Sequence, residues 1–305
     1  MKTDLFYWLL NANIYGVLIG LVLIIVRKIK MPRRVVCALW LLPFLRLWLP
    51  FGFTSRFSVF NLVSKYAVKT VTVQTSYHSV RFFSYANCIQ KADSYFPVTY
   101  KTNVLERVFE TAALIWLIGF CTIVLTGTLL YIFTMTEIKN ARHLRDNIYV
   151  SDRVTSPALY GIFKPRIIIP EYLKNADLTY IILHENAHAR RKDNFFRCVA
   201  LFTCTLHWYN PLVWLLLKKY LSDIELACDE SVIAKADKNT RKEYALSLFS
   251  ALEAQSAFIS AFGGAKIRVR INNILSYRAL SVFSTIIMLA FIAAAAFALL
   301  TNAAA

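Results

Sequence analysis

The sequence predicts a mainly α-helical, polytopic membrane protein with four transmembrane helices and one α+β domain on the cytoplasmic side. Composition, long apolar stretches and the placement of basic residues support this fold class. Of the 305 residues, 57% are hydrophobic and 17% are charged, and the mean hydropathy is positive at +0.48. A soluble domain of this length is less apolar, so a membrane protein is expected.

Four apolar stretches are long enough to cross about 30 Å of hydrocarbon, which takes roughly 20 residues. They cover residues 5–26, 35–55, 111–135 and 279–300. Only the second contains a charged residue, Arg46. The first is longer than a signal-peptide core and lacks a small-residue cleavage site, so it is expected to remain as a membrane anchor.

Basic residues orient the chain, because short cytoplasmic loops are enriched in lysine and arginine. The segment RKIKMPRR at residues 27–34 is strongly basic and contains no acid. This loop is therefore expected in the cytoplasm and the N-terminus outside. The predicted organisation is transmembrane helices 1 and 2 in residues 1–52, an extracellular loop in 53–110, transmembrane helix 3 in 111–135, the cytoplasmic domain in 136–278, and transmembrane helix 4 with a short outer tail in 279–305.

The formal net charge of +17 does not indicate nucleic-acid binding. The basic residues cluster at the cytoplasmic border of the membrane, where anionic lipid attracts them. The sequence contains no glycine-rich phosphate loop and no DNA-binding motif. The lipid bilayer is the expected partner, with no direct contact to nucleic acid.

The segment IILHENAHARRKD at residues 181–193 predicts a metal-binding helix. His184 and His188 are four residues apart and project from one helical face, with Glu185 displaced by about 100°. In an HExxH motif the two imidazoles bind zinc, and the glutamate acts as a base towards a water molecule. The motif is short and also occurs by chance, so a helix with surface histidines is the alternative.

A third metal ligand is available in the segment DIELACDES, residues 223–231. Glu225 and Asp229 are again four residues apart. Glu225 can bind zinc while Asp229 accepts the free ring N–H of a ligating histidine. The alternative, a solvated acidic helix face, accounts for Asp223 and Glu230 as solvent-exposed acids but not for the pairing of Glu225 with Asp229, and Cys228 needs no role.

Short strands interrupted by proline and glycine are predicted in residues 147–152 and 156–173, so a small sheet should precede the metal-binding helix. The edge of this sheet can receive an extended peptide as an added strand. A sheet that only covers the helix is equally compatible with the sequence. Asp177 or Thr179 is expected to cap the first turn of the helix.

The apolar segment at residues 198–217 lies between the two motifs. If it crossed the membrane, Glu225 would lie on the opposite side from the histidines. Because its centre holds His207, Asn210 and Pro211, it is expected to form two helices that meet at a turn and dip into, or lie on, the inner leaflet. His207 is expected to be a structural residue rather than a ligand.

The segments SPALYGIFKPRIIIP, HENAHARRKD, LHWYNPLVWLLLKKY and ELACDE, together with the four-span layout, resemble the BlaR/MecR family of antirepressor membrane metallopeptidases. The resemblance implies a zincin-like α+β metalloprotease domain of the gluzincin type between the third and fourth spans. It implies zinc at His184, His188 and Glu225, with Glu185 as the base and Asp229 behind the ligands. It also implies a cytoplasmic protein substrate, a DNA-binding repressor.

The best-known members of that family continue past the last span into an extracellular penicillin-binding sensor domain. This sequence ends at LLTNAAA, and its predicted outer segments have no SxxK motif. Either the sequence is a truncated form of a longer protein or it is a member without the sensor domain, so the residues given carry no expectation of β-lactam sensing.

A regulated intracellular zinc endopeptidase is the expected function, and Glu185 favours it because a structural zinc site needs no base. A non-enzymatic membrane signalling scaffold and a housekeeping membrane zinc protease are the alternatives, and a homodimer is one option for the assembly. Self-cleavage is also predicted within residues 256–270, best between Ala261 and Phe262 beside a flexible glycine pair. Alternatively, the phenylalanines of this segment pack a helix onto the core.

Overall fold

The computed structural model describes residues 2–29, 31–48, 54–58, 61, 104–174, 177–253, 267–277 and 282–303, and these are mainly helical. The helices are α1 (Lys2–Val26), α2 (Arg33–Leu39), α3 (Leu41–Trp48), α4 (Val104–Glu137), α5 (Thr179–Arg191), α6 (Asp193–Leu206), α7 (Pro211–Ile233), α8 (Lys238–Glu253), α9 (residues 267–275) and α10 (Val282–Leu300). The strands are β1 (Thr54–Ser55), β2 (Arg142–Arg145), β3 (Ile148–Ser151), β4 (Ala158–Tyr160), β5 (Arg166–Pro170) and β6 (Asn302–Ala303).

Three helices of the described residues are long and apolar enough to cross a membrane: α1, α4 and α10. They correspond to three of the four predicted spans. The second predicted span differs, because its described residues form two short helices, α2 and α3, separated at Trp40. Pro43 has no N–H to donate to the carbonyl of Leu39, so the helical hydrogen-bond ladder is interrupted here. The prediction of four transmembrane helices is therefore not confirmed.

Helices α6 and α7 form the predicted pair of helices that meet at a turn, at residues 207–210. The turn reaches the middle of α1, where Asn210 donates a hydrogen bond to the Asn13 side chain at 2.7 Å. On the other side, Trp208 donates to a backbone carbonyl of α4 at 3.2 Å. His207 is fully buried in this turn. The hairpin is therefore inserted between two of the long apolar helices rather than lying beside them.

The predicted small sheet has four strands in the order β2-β3-β5-β4. Strands β3 and β5 are parallel, and the two outer strands are antiparallel to their neighbours. Ile148, Val150, Ile167 and Ile169 form the buried face of the sheet, packed against Leu178 just before α5. Strand β4 is an edge of the sheet, and α5 packs against it.

Two acidic residues of α7, Asp223 and Glu230, lie about 20° apart around the helix axis, on the face opposite the predicted ligands. The expectation that they are solvated is wrong, because they are 0% and 5% exposed. Arg27 donates to Asp223 at 2.6 Å, Trp40 donates to the other oxygen of Asp223 at 2.8 Å, and Arg34 donates to Glu230 at 3.0 Å. A buried carboxylate needs such partners. The basic segment after α1 therefore binds α7, in addition to any contact with lipid.

Candidate metal centre

Helix α5 brings both histidines of the HExxH motif to one buried face, as predicted. Its first turn is stabilised by Asp177, whose carboxylate accepts a hydrogen bond from the backbone N–H of Thr179 at 3.0 Å. His184 and His188 are 6% and 3% exposed, and their Nε2 atoms are 3.1 Å apart. Two imidazole nitrogens at this separation repel each other unless a proton or a metal cation lies between them.

Glu225 of α7 faces the same two nitrogen atoms. One carboxylate oxygen is 3.7 Å from Nε2 of His184, and the other is 3.7 Å from Nε2 of His188. Two donor atoms bound at about 2.0–2.1 Å to a tetrahedral zinc ion are about 3.3 Å apart. The separations of 3.1 and 3.7 Å lie close to this value. The two Nε2 atoms and the Glu225 carboxylate therefore surround a space in which one such ion can be bound, with each carboxylate oxygen closest to a different histidine.

The ring of His188 is oriented by Asp193, which the sequence analysis did not identify. Lys192, with φ of 56°, reverses the chain after α5, so that α6 begins at once with Asp193. The Asp193 carboxylate accepts a hydrogen bond from Nδ1 of His188 at 2.6 Å and leaves Nε2 to face the site. Burial lowers the pKa of His188, but its hydrogen bonds, first of all to Asp193, raise it more. The pocket therefore favours a positive charge at this position.

The ring of His184 is oriented through Tyr244 of α8. Nδ1 of His184 donates to the Tyr244 hydroxyl at 2.8 Å, and that hydroxyl donates to Asp229 at 2.7 Å. The direct distance from Nδ1 to Asp229 is 3.4 Å. Asp229 also accepts two hydrogen bonds from Arg270 of α9, both at 2.7 Å. The structure thus places a phenol between the histidine and the carboxylate that the sequence analysis paired directly.

Two arginines lie beside Glu225. Arg197 of α6 donates to it at 2.5 Å, and Arg270 approaches the other oxygen at 3.6 Å. Burial raises the pKa of Glu225, but the two histidines and Arg270 lower it more, so its pKa lies well below the usual value. Glu225 is therefore ionised at neutral pH, as a carboxylate metal ligand must be.

A second set of possible ligands includes Cys228. Donor atoms of His184, His188 and Cys228 all lie within 4.8 Å of one another. The Cys228 sulfur, however, is 3.6 Å from Nδ1 of His184, and it donates to the backbone carbonyl of the same residue at 3.5 Å. Because the Nδ1 atoms of both histidines already have hydrogen-bond partners, the Nε2 atoms are the ones that face the site, where Arg270 also approaches Nε2 of His184 at 3.4 Å. Glu225 is the group that lies on that side.

Glu185 lies on α5 beside the two ligand histidines and is 9% exposed. Burial raises its pKa, although the neighbouring histidines act in the opposite direction. A carboxyl group with a raised pKa next to a metal site is suited to accept a proton and then return it.

A cavity of about 320 Å³ lies between α5 and the end of the edge strand β4. Leu159, Ile162 and Phe163 line it on the strand side, and His188 and Phe195 line it on the helix side. Its walls are mainly apolar, and His188, a candidate metal ligand, forms part of its lining. The cavity can therefore hold an apolar peptide side chain next to the metal centre.

Long apolar helices, a buried HExxH helix and a second helix with a facing carboxylate define a membrane metallopeptidase. The combination is found in a chain whose sequence motifs already resemble such enzymes. The protein belongs to the BlaR1 peptidase M56 family, whose family model matches residues 7–278. This membership confirms the resemblance.

The chain is similar to proteins that are named as regulatory proteins or as methicillin resistance proteins. Regulatory protein BlaR1 of Bacillus licheniformis is 32% identical over 134 residues, which cover 39% of this chain and 22% of that protein. Regulatory protein BlaR1 of Staphylococcus aureus is 33% identical over 106 residues, 33% of this chain and 18% of that protein. The methicillin resistance mecR1 protein of Staphylococcus aureus strain Mu50 is 25% identical over 117 residues, which cover 37% of this chain and 20% of that protein. The matched part of the chain thus spans about a fifth of the length of these relatives.

Four residues of this centre were missed by the sequence analysis: Asp193, Arg197, Tyr244 and Arg270. Asp193 was predictable as an acid directly after the HExxH helix, because the turn at the end of a helix brings the next residues back towards the second histidine. By sequence the two arginines are basic residues at the membrane border, and Tyr244 lies on α8, the helix that follows the one carrying Glu225. Nothing in their local sequence indicates the contact.

Proposed function

We propose that this protein is a zinc endopeptidase that hydrolyses a cytoplasmic protein at the inner face of a cell membrane. The observation that carries the proposal is the convergence of Nε2 of His184, Nε2 of His188 and the Glu225 carboxylate. Two imidazoles and one carboxylate are the ligand set of catalytic rather than structural zinc sites, which keep one position for water or substrate.

In this proposal His184, His188 and Glu225 hold the zinc ion. Zinc supplies a Lewis acid that polarises a peptide carbonyl and lowers the pKa of water towards about 7. Glu185 takes a proton from the attacking water and returns it to the leaving nitrogen. Asp229, acting through the phenol beside it, keeps the first histidine ring in the orientation that leaves Nε2 unprotonated.

The edge strand β4 is the proposed site for the peptide, which would add as a further strand beside the metal centre. The apolar cavity below this edge then receives a side chain of the substrate. Cleavage before a bulky apolar residue is the expected specificity.

A role in signal transduction is proposed from similarity to the BlaR1 and mecR1 proteins, whose names describe them as a regulatory and a methicillin resistance protein. A DNA-binding repressor in the cytoplasm is the proposed substrate, and its inactivation would make the protein an antirepressor. The described residues 136–253 and α9 would then lie on the cytoplasmic side, with the N-terminus outside.

The function is tested by incubating the purified, zinc-loaded protein with peptides from a digested bacterial proteome, followed by mass spectrometry. We expect cuts before bulky apolar residues that stop with a zinc chelator and resume when zinc is added back. In the same sample the chain itself should show a new N-terminus near Phe262, a position outside the described residues. Zinc binding without any cleavage would instead favour a non-enzymatic signalling scaffold, and an intact chain under conditions where peptides are cut would contradict self-cleavage.

The orientation is tested by labelling single-cysteine variants with a membrane-impermeant maleimide. Cys88, which lies outside the described residues, should react in intact cells. Asn239→Cys, at an exposed position of α8, should react only after the membrane is opened. The reverse pattern would place the metal centre outside and exclude a cytoplasmic substrate.

A further inference from the structure

The edge strand β4 is tied to helix α6 by one side chain, Asn194. Its amide donates two hydrogen bonds, to the backbone carbonyls of Leu159 at 2.8 Å and Gly161 at 3.0 Å. Gly161 has φ of +94°, a conformation that favours glycine, and it turns the chain at the end of the strand. Asn194 therefore fixes both the position and the end of β4.

The same turn of α6 also contacts the candidate metal ligand Glu225, which belongs to α7. Arg197, three residues after Asn194, donates to the Asn194 side-chain oxygen at 3.4 Å and to Glu225 at 2.5 Å. An arginine can do both because its planar guanidinium presents several N–H groups in a rigid fork. Asn194 and Arg197 thus form a hydrogen-bonded bridge, the α6 bridge, from the strand edge to the Glu225 carboxylate.

The α6 bridge also changes what the edge can offer to a peptide. In an antiparallel strand the N–H and C=O groups of one residue point to the same side. Because the Leu159 carbonyl points to Asn194, the Leu159 N–H also faces the open side of β4, where it can donate to a peptide carbonyl. The Leu159 carbonyl is already occupied and is a poor acceptor for a peptide N–H.

Peptide hydrolysis depends on the relative position of the metal and the scissile carbonyl, and errors of about 1 Å can cost on the order of 100-fold in rate. We infer that Asn194 and Arg197 are positioning residues of the peptidase: Asn194 sets the edge strand that receives the peptide, and Arg197 sets the carboxylate that binds the metal. This inference rests on the proposed function. Since both residues lie on one turn of a rigid helix, they hold the bound peptide and the metal ligand at a fixed position relative to each other.

The two roles predict different effects. Arg197→Gln should weaken zinc affinity by about 10- to 100-fold, the usual cost of losing a hydrogen-bond partner of a ligand, and should change the visible absorption of the cobalt-substituted protein. Arg197→Lys keeps the charge but not the fork, so it should restore only part of the affinity. Asn194→Ala should raise KM by about fivefold, the equivalent of a lost hydrogen bond, and should lower kcat because the scissile bond is less well placed, with zinc affinity close to that of the unmodified chain.

The measurements are zinc affinity by competition with a chelator, the cobalt absorption spectrum, and kcat and KM on a fluorogenic peptide with an Ala-Phe bond. Arg190→Gln and Asn239→Ala, at exposed positions of α5 and α8, are the matched controls and should change none of these quantities. Unchanged zinc affinity and cobalt spectrum in Arg197→Gln would overturn the role of Arg197, and an unchanged KM in Asn194→Ala would overturn the role of Asn194. The zinc and cobalt measurements do not depend on catalysis. A chain that binds zinc but cuts no peptide would contradict the proposed function, and these two measurements would still decide the role of Arg197.

Discussion

Glu185→Ala should keep about one zinc ion per chain while its rate of peptide cleavage falls by about 10²- to 10⁴-fold, because Glu185 is the proposed base and not a ligand. In the structure the carboxylate that faces both Nε2 atoms belongs to Glu225. Metal content by mass spectrometry and turnover of a fluorogenic peptide in detergent measure the two effects separately.

Two variants control for damage to helix α5. Glu185→Gln keeps the shape of the buried side chain and should be as inactive as Glu185→Ala. Asn186→Ala changes the neighbouring, exposed residue and should keep both zinc and activity. Loss of zinc from Glu185→Ala, with Asn186→Ala intact, would contradict the assignment of Glu185 as a base.

Glu225→Ala should lose zinc, with an affinity lower by more than about 100-fold, since removing a ligand costs more than removing a partner of a ligand. The structure adds a second reason. Arg197 and Arg270, which lie 2.5 and 3.6 Å from this carboxylate, would keep their charges beside the histidines and repel a cation. Chelator competition measures the affinity, and peptide turnover should fall with it.

The control for Glu225→Ala is an acid on the other face of α7, Glu230. Glu230→Gln disturbs the contact with Arg34 but should keep zinc, because this residue is turned away from the histidines. If Glu225→Ala retained zinc and Cys228→Ala lost it, the metal would instead be held by the two histidines and the cysteine. That outcome would move the third ligand but leave the HExxH helix in place.

Several elements were predictable from local sequence because a helix or strand period determines which side chains share a face. The spacing of His184 and His188 indicated one buried face of α5, and the apolar run between Pro165 and Pro170 indicated a strand, which the structure shows as β5 with three buried isoleucines. Polar residues in the middle of the segment 198–217 indicated the turn between α6 and α7. Each of these features depends on residues a few positions apart.

The second span and the acidic face of α7 show where such reasoning stops. Pro43 was counted as one apolar residue of a continuous span, but it interrupts the ladder between α2 and α3. Asp223 was expected in solvent because it is charged and lies off the ligand face. Its burial depends on Arg27 and Trp40, which are nearly two hundred residues away in sequence.

The sequence by itself determined that the chain has long apolar helices, that a helix carries HExxH and that a second helix carries the acid pair, because composition and period are local properties. Only the tertiary structure decided which side chains surround those groups. Arg270 illustrates the difference: its sequence neighbours mark it as a basic residue at the membrane border, yet it donates twice to Asp229. A buried carboxylate must find a cation or hydrogen-bond donors, and which of the many basic residues supplies them depends on how the helices pack.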